Sequence, residues 1–332
     1  MFRITSIFDE STLGFYKIAG RTRSGIALAL SGLMLLSACS GSDDAAPEAN
    51  TPGTDAAAAA EDTGPDLWLA DMTWNEGRPM LANLRNATNR VGYDNQPQFF
   101  PDGSVYYTQG VEDRTDIWRL DPTTGATAAV TSTLPESEYS ATATPDGMGF
   151  TGIRVEADSL QRLWRFNLDG SEVGPVFETI LPVGYHAWAN DNTIAMFILG
   201  QPATLQVATV GSEDATLIAE RIGRSINRIP GQTAVTYPRT FADGRSEIWT
   251  WGPGQETTML VEARPGSQDH TWAGEILLQP EGGRLMGFDS SDPEAGWFEV
   301  ADFTDQGLQF TRLTVNGDLS LIALVGETAA GA

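Results

Sequence analysis

Cysteine and lysine are almost absent from this chain of 332 residues. The single cysteine is Cys39 and the single lysine is Lys17. Beyond residue 39 the chain therefore has no thiol for a disulfide, a cysteine nucleophile or a cysteine-ligated metal. It also has no amine for Schiff-base or Ser–Lys chemistry.

Histidine is nearly as scarce, with His186 and His270 as the only two. A Ser–His–acid triad would have to use one of them, and no Gly-x-Ser-x-Gly elbow is present. Phosphate-binding Gly-rich loops, dinucleotide fingerprints and His-Glu-x-x-His zinc motifs are missing as well. The sequence thus favours a non-enzymatic protein but leaves enzymatic activity undecided.

Positive charge is also in short supply. The chain has 20 Lys and Arg against 44 Asp and Glu, a formal charge of −24. Such a surface repels phosphate backbones, so we expect no nucleic-acid partner. It also repels anionic lipid headgroups, so membrane attachment must be covalent or hydrophobic.

No hydrophobic run is long enough to span a bilayer, which takes roughly 20 apolar residues. The longest runs from Gly25 to Leu36, after a basic segment and before Ser37-Ala38-Cys39. This arrangement is typical of a secretory signal peptide. Leu36-Ser37-Ala38-Cys39 also resembles the bacterial lipoprotein box. An ordinary signal with a chance cysteine, or a buried apolar helix, is the alternative.

The lipoprotein resemblance implies a signal peptide at 1–38 and a lipidated Cys39 that anchors the protein in a membrane. Ser40 favours the outer membrane and a periplasm-facing domain. Residues 39–65 are predicted to be a flexible tether, because they have no apolar periodicity. The long basic segment suggests that the true start codon lies downstream of Met1.

A strand–turn–strand phrase then recurs along the chain. Gln96 to Tyr107 contains a Pro-Asp-Gly turn between aromatic segments, and Thr142 to Gly147 repeats it. Looser copies follow, with a period of about 40 to 45 residues, which is that of a propeller blade. Each copy is followed by an alternating strand containing Trp118, Trp164 or a counterpart, for which we predict packing between blades.

Two incomplete units, each half of a repeat, remain at the ends of the domain. Asp66 to Leu84 has the last two strands of a unit without the first two, and Thr311 to Val325 has the first two strands without the last two. Joined, they complete a sixth blade and leave no free sheet edge. The sequence therefore predicts an all-β, six-bladed propeller of four-stranded blades over 66–328, with a short tail at 329–332. An open β-sandwich is the alternative.

The repeated phrase Gln98-Phe99-Phe100-Pro101-Asp102-Gly103, followed by Asp116-Ile117-Trp118, is similar to the repeat of TolB-like propellers of bacterial envelopes. The resemblance covers about residues 66 to 326 and implies the fold. It does not carry over the function of TolB, whose N-terminal α/β domain has no counterpart here.

In propellers, functional residues usually lie where loops enter the innermost strands, at one end of the central channel. Both histidines fall at such positions, which suggests a metal or polar-ligand site joined by nearby carboxylates. The alternative is that both pack structurally above a tryptophan. Arg224 and Arg312 could instead receive a carboxylate. The candidate binding residues at this end are Tyr93, Asp94, Asn95, Glu138, Tyr139, Tyr185, His186, Arg224, Asp269, His270 and Arg312.

These features predict a lipid-anchored periplasmic propeller that binds an envelope protein, a peptide or a small ligand, without turnover. We expect no cofactor. The alternative is a metal-assisted hydrolase or lyase that uses His186 and His270, in which case the cofactor would be a divalent metal. A purely structural role also fits, and the oligomeric state is left open.

Overall fold

A computed structural model shows six four-stranded antiparallel sheets, the blades of a β-propeller. The structure describes residues 64–328. The predicted signal peptide, the lipidation site Cys39, nearly all of the tether and the tail at 329–332 lie outside this range. The predicted fold class is confirmed, and the open β-sandwich is wrong.

The strands follow one another around the ring in chain order. The chain enters with β1 (Asp66–Asn75) and β2 (Arg78–Asn86). Blade one is β3 (Asp94–Phe99), β4 (Val105–Val111), β5 (Arg114–Leu120) and β6 (Thr127–Ala129). Blade two is β7 (Ser137–Ala143), β8 (Gly149–Val155), β9 (Gln161–Asn167) and β10 (Glu172–Pro175). Blade three is β11 (Val183–Trp188), β12 (Thr193–Ile198), β13 (Thr204–Thr209) and β14 (Thr216–Glu220).

The second half of the ring repeats the plan. Blade four is β15 (Asn227–Arg228), β16 (Val235–Thr240), β17 (Ser246–Trp251) and β18 (Thr258–Glu262). Blade five is β19 (Thr271–Ala273), β20 (Ile276–Glu281), β21 (Arg284–Asp289) and β22 (Trp297–Asp302). The chain ends with β23 (Leu308–Val315) and β24 (Leu321–Thr328).

Helix is confined to two short 3-10 turns in the described part of the chain, Pro293–Ala295 and Thr304–Gln306. Accordingly, no helix among residues 64–328 has the length and apolarity needed to cross a membrane.

The ring closes through strands from both ends of the domain. β24 pairs with β1 from Asp66↔Gly326 to Asp71↔Leu321, so blade six has the order β2-β1-β24-β23. The predicted joining of the two incomplete units, two strands from each end, is confirmed. Every blade thereby has four hydrogen-bonded strands and two neighbours, which removes the free edge that an open sheet would present.

The Pro-Asp-Gly turns reverse the chain between the first two strands of blades one and two. Gly103 has φ +85° and donates its N–H to the carbonyl of Phe100 at 2.9 Å. Gly147 has φ +66° and makes the same bond to Thr144 at 2.9 Å. Glycine suits both positions because a Cβ disfavours this left-handed conformation.

The core is divided into six apolar clusters, one at each interface between neighbouring blades. The cluster between blades one and two, for example, joins Tyr106 and Ile117 to Phe150 and Phe166, with the last two rings stacked at 5.0 Å. Each sheet buries one face against the blade before it and the other against the blade after it. Burial of this kind holds the ring together without a central core.

The repeated tryptophans lie at these interfaces, as predicted. Trp118 packs against the cluster between blades six and one, and Trp164 against that between blades one and two. Trp249 and Trp297 take the same place at the interfaces that precede blades four and five. Their periodic spacing therefore follows from packing between blades.

Candidate functional site

The innermost strands β3, β7, β11, β15, β19 and β23 surround a central channel. Their first residues converge at one end, which we call the mouth. The other end, next to the Pro-Asp-Gly turns, we call the turn end. Local backbone irregularities shape the mouth: Gln96 and Ser140 have φ +56° and +55° at register shifts in β3 and β7. Such strained positions often occur at functional sites.

A network of charged and aromatic side chains spans the mouth. Arg224 donates two hydrogen bonds to the carboxylate of Asp269, at 2.8 and 3.3 Å. A guanidinium nitrogen of Arg312 lies 3.7 Å from the same carboxylate. Arg312 also donates to the Tyr185 hydroxyl at 3.0 Å and lies 5.1 Å from the centre of its ring. Blades three to six are therefore tied together at this end.

Electrostatics keeps the network charged. Burial opposes ionisation of Asp269, but Arg224 and Arg312 outweigh it and hold the pKa of this carboxyl below its usual value. Burial likewise opposes the charge on Arg312, yet Tyr185 and Asp269 raise its pKa. Both groups are ionised at neutral pH.

Tyr93 completes this arrangement from blade one. Its side chain is buried, and burial raises the pKa of its hydroxyl well above the usual value. The hydroxyl makes no hydrogen bond within the described chain, although Arg312 and Arg224 are among its electrostatic neighbours. We call Tyr93, Tyr185, Arg224, Asp269 and Arg312 the plug, because these mostly buried side chains lie together at the mouth.

The first histidine lies at the interface between two blades. His186 in β11 places Nε2 2.7 Å from the hydroxyl of Thr151 in blade two, and Trp188 donates its indole N–H to the same hydroxyl at 3.1 Å. Thr151 in turn donates to the carbonyl of Thr142 at 3.3 Å. One hydroxyl thus connects both aromatic side chains of the His-x-Trp phrase to the preceding blade.

The second histidine repeats this arrangement. His270 Nε2 lies 2.9 Å from the Thr236 hydroxyl, to which Trp272 donates at 3.1 Å. Thr236 donates to the carbonyl of Asn227 at 3.3 Å. The matching sequence phrases therefore produce matching contacts, at the interfaces between blades two and three and between blades four and five.

Each shared hydroxyl has one proton and two acceptors within reach. Thr151 and Thr236 lie 3.3 Å from a backbone carbonyl and 2.7 and 2.9 Å from the histidine Nε2, so which atom of each His–Thr pair donates depends on the tautomer of the ring. Burial lowers the pKa values of His186 and His270 to about 3 and about 4, so both rings are neutral at pH 7. Their Nδ1 atoms are buried and have no hydrogen-bond partner among residues 64–328.

The carboxylates suggested as companions of the histidines are engaged elsewhere. Asp94 accepts from Arg90 at 2.9 and 3.0 Å, and burial raises its pKa to about 6. Glu138 accepts from Thr131 and Thr133, and Asp269 belongs to the plug. Within residues 64–328 no group of three or more His, Cys, Asp or Glu is placed to hold a metal ion.

The remaining predicted residues have structural contacts. Asn95 is buried and accepts the backbone N–H of Gln96 at 2.7 Å. Tyr139 packs beside the apolar cluster between blades two and three and is an electrostatic neighbour of Tyr185. Of the eleven candidates, the structure brings together the five plug residues, with both histidines just below them at the channel wall.

Two connected cavities occupy the channel below the plug. The first, of about 100 Å³, is lined by Arg224, Arg312, Asp269 and Gln96. The second, of about 290 Å³, reaches Pro145 and Pro230 at the turn end. Both include Gln98, Thr142, His186, Ile226 and Asn227 in their walls.

Sequence reasoning missed Thr151, Thr236 and Gln98. The two threonines sit at equivalent positions, each opposite the innermost strand of its own blade at Thr142↔Thr151 and Asn227↔Thr236. An alignment of the second strands of all blades would have shown Thr151 and Thr236 at equivalent positions, each one blade before a His-x-Trp segment.

Comparison with known proteins identifies the fold and no family. No protein-family model matches the chain, and no curated protein matches it. A putative TolB from Agrobacterium tumefaciens superposes with a TM-score of 0.57 at 12% identity, covering 79% of this chain and 98% of that one. An oligogalacturonate lyase in complex with manganese gives 0.52 at 14%, covering 76% and 83%.

The TolB of Acinetobacter baumannii is also similar, with a TM-score of 0.48 at 16% identity over 59% of this chain. The match spans about half, 52%, of that longer protein. The match to the putative TolB from Agrobacterium tumefaciens, together with the six four-stranded blades, shows that the chain has the TolB-like six-bladed propeller fold. At these identities the likeness extends to the fold alone, since propellers serve many functions.

Proposed function

We propose that this chain is a lipid-anchored, periplasm-facing propeller of the bacterial envelope that binds a protein partner without turnover. The observation that supports this most strongly is the plug. Ion pairs and hydrogen bonds tie its side chains across blades three to six, so this end offers a rigid surface. A rigid surface loses less conformational entropy on binding than a flexible one.

Exposed apolar side chains on the same face support partner binding. Val91 and Leu134, on loops that lead into β3 and β7, are 63% and 72% exposed. Residues of this kind gain free energy when a partner covers them, by roughly 25 cal/mol per Å² of apolar area. We therefore assign the partner to the mouth face, where the Arg224 side chain is partly exposed, at 26%.

The histidine contacts favour this binding role over a metal-assisted hydrolase or lyase. Such an enzyme would need His186 and His270 to converge on a metal. Both rings are instead hydrogen-bonded through Nε2 to threonines of preceding blades.

Site-specific photo-crosslinking in intact cells tests the partner face. A photoreactive residue at Leu134 should give a discrete crosslinked protein band. The same residue at Met148 is the control, because Met148 is 70% exposed but lies beside the Pro-Asp-Gly turn of blade two. Equal crosslinking from both positions, or none from Leu134, contradicts the assignment.

Membrane attachment is tested separately through Cys39. Metabolic labelling with a radioactive fatty acid should label the wild-type chain, and Cys39→Ser should abolish both labelling and recovery in the membrane fraction. Labelling that persists in Cys39→Ser contradicts a lipid anchor at this residue.

A further inference from the structure

Two cavities lie along the channel. The first is lined by the plug residues Arg224 and Arg312 at the mouth, and the second reaches Pro145 and Pro230 at the turn end. A ligand that fills the channel from the turn end would therefore meet Arg224 and Arg312 at the bottom.

The bottom of this channel has an unbalanced positive charge. Two guanidiniums, Arg224 and Arg312, face one carboxylate, Asp269. The two nearby histidines are neutral at pH 7, and burial raises the pKa of the Tyr93 hydroxyl and keeps it protonated. Arg312 is the more buried guanidinium, with 12% of its side chain exposed against 26% for Arg224. Burying a charge is costly unless an opposite charge compensates it, so an anion beside Arg312 would be stabilising.

The guanidiniums also have unused donors. Arg312 makes one hydrogen bond in the described chain, through Nη2 to Tyr185, and its ion-pair distance of 3.7 Å to Asp269 is too long for another. Arg224 uses Nε and one Nη, both for Asp269. Gln96 accepts three hydrogen bonds at Oε1, and its Nε2 has no acceptor among residues 64–328. All three side chains line the first cavity.

The wall above them is uncharged except for Arg228 near the turn end. Gln98, Thr142 and Asn227 provide neutral polar groups along the middle, and Trp188 and Trp272 line the wider part towards the turn end. Such a wall suits a neutral, partly apolar ligand body. The volume of the wider cavity, 290 Å³, is near the lower end of ligand pockets, which is about 300 Å³.

We propose that the channel binds a small organic monocarboxylate, whose carboxylate pairs with Arg312 and Arg224 and whose uncharged body lies between Trp188 and Trp272. Arginine provides paired N–H donors that match the two oxygens of a carboxylate. This inference goes beyond partner binding at the mouth face, because the ligand lies inside the channel. Absence of crosslinking at Leu134 would leave it standing.

Calorimetric titration of the purified full chain in detergent, in chloride-free buffer, tests this site. Sodium benzoate is the probe, and benzamide is its uncharged match. We expect benzoate to bind at least tenfold more tightly than benzamide. Arg312→Gln should weaken benzoate binding at least tenfold. The control Arg165→Gln removes an exposed arginine that pairs with Asp146 at 2.7 Å, and it should leave binding unchanged.

A second variant tests the site independently, in case Arg312→Gln does not fold. Gln98→Trp fills the middle of the channel, where Gln98 lines both cavities, and keeps the plug intact. It should abolish benzoate binding while thermal unfolding stays close to wild type. Equal affinity for benzamide, unchanged binding in Gln98→Trp, or equal binding of inorganic phosphate with displacement of benzoate would each overturn the proposal.

Discussion

The Nε2 atom of His186 and the hydroxyl of Thr151 form a hydrogen bond of 2.7 Å across the interface between blades two and three. Trp188 donates to the same oxygen. Two buried side chains of blade three thus share one hydroxyl of blade two, and His270, Thr236 and Trp272 repeat the arrangement two blades further on.

Removal of the shared hydroxyl should destabilise the ring. Thr151→Val keeps the shape of the side chain but leaves His186 Nε2 and the Trp188 indole N–H without their shared hydrogen-bond partner. Each buried unsatisfied group costs about 1–3 kcal/mol, so we expect a loss of about 2–4 kcal/mol in the free energy of unfolding. Urea unfolding followed by tryptophan fluorescence measures it. The control Thr258→Val, on exposed strand β18, should change stability by less than about 0.5 kcal/mol.

Neutral His186 should make stability fall in mild acid. Its pKa is about 3 in the folded chain and near 6.5 when unfolded, so only the unfolded state gains a proton between these values. The stabilisation is present above pH 6.5 and is lost as pH falls. His186→Gln keeps an N–H donor for Thr151 and removes this dependence.

Lowering the pH from 7 to 5 should therefore reduce the unfolding free energy of the wild type by about 1–2 kcal/mol more than that of His186→Gln. Urea unfolding at both pH values provides the comparison. A constant difference between the two proteins would show that His186 titrates normally in the folded state.

Buried Glu138 should give stability the opposite pH dependence, so that it falls as pH rises. Burial raises its pKa to about 7, against the attraction of Arg154, while nearby Asp116 raises it further. The folded state therefore holds a proton that the unfolded chain loses above pH 4.5, and stability falls as pH rises from 4.5 to 7. Glu138→Gln should be more stable than wild type at pH 8, on the order of 2 kcal/mol, and equal to it at pH 4.

The stability of Glu138→Gln can be measured by thermal or urea unfolding at both pH values. Arg154 keeps Glu172 at 3.0 Å and Glu136 at 3.4 Å in this variant, so it retains partners for its charge. A variant less stable than wild type at pH 8 would mean that Glu138 is ionised in the folded protein.

Close packing between strands should make Gly149 intolerant of a side chain. A Cβ at this position would lie 2.2 Å from the carbonyl oxygen of Phe166. Gly149→Ala must displace β9, and we expect a loss of about 1–3 kcal/mol. Gly317→Ala is the matched control, because a Cβ there would meet nothing within 4 Å. Equal unfolding midpoints for the two variants would contradict the tight contact.

Repetition allowed the fold to be predicted. The turn phrase at Pro101-Asp102-Gly103, its copy at Pro145-Asp146-Gly147 and the periodic tryptophans depend on local backbone geometry and on contacts that recur in each blade. The pairing of β1 with β24 was predictable because two incomplete units complement each other.

The candidate site was predictable only as a location. The sequence places Arg224, Asp269 and Arg312 at strand starts, but their spacing along the chain does not show which charges meet. The choice between a ligand role and a packing role for His186 likewise depends on Thr151, which lies 35 residues earlier in a different blade.

The sequence by itself thus determined the ring, its six blades and the end of the channel where the candidate binding residues lie, because each blade repeats the same local pattern. Only the tertiary structure decided that Arg224, Arg312, Asp269 and Tyr185 meet at the mouth of the channel and that a cavity runs from there towards the Pro-Asp-Gly turns. The physical reason is that ion pairs and shared hydrogen bonds form across the ring, between residues whose separation in the sequence carries no signal.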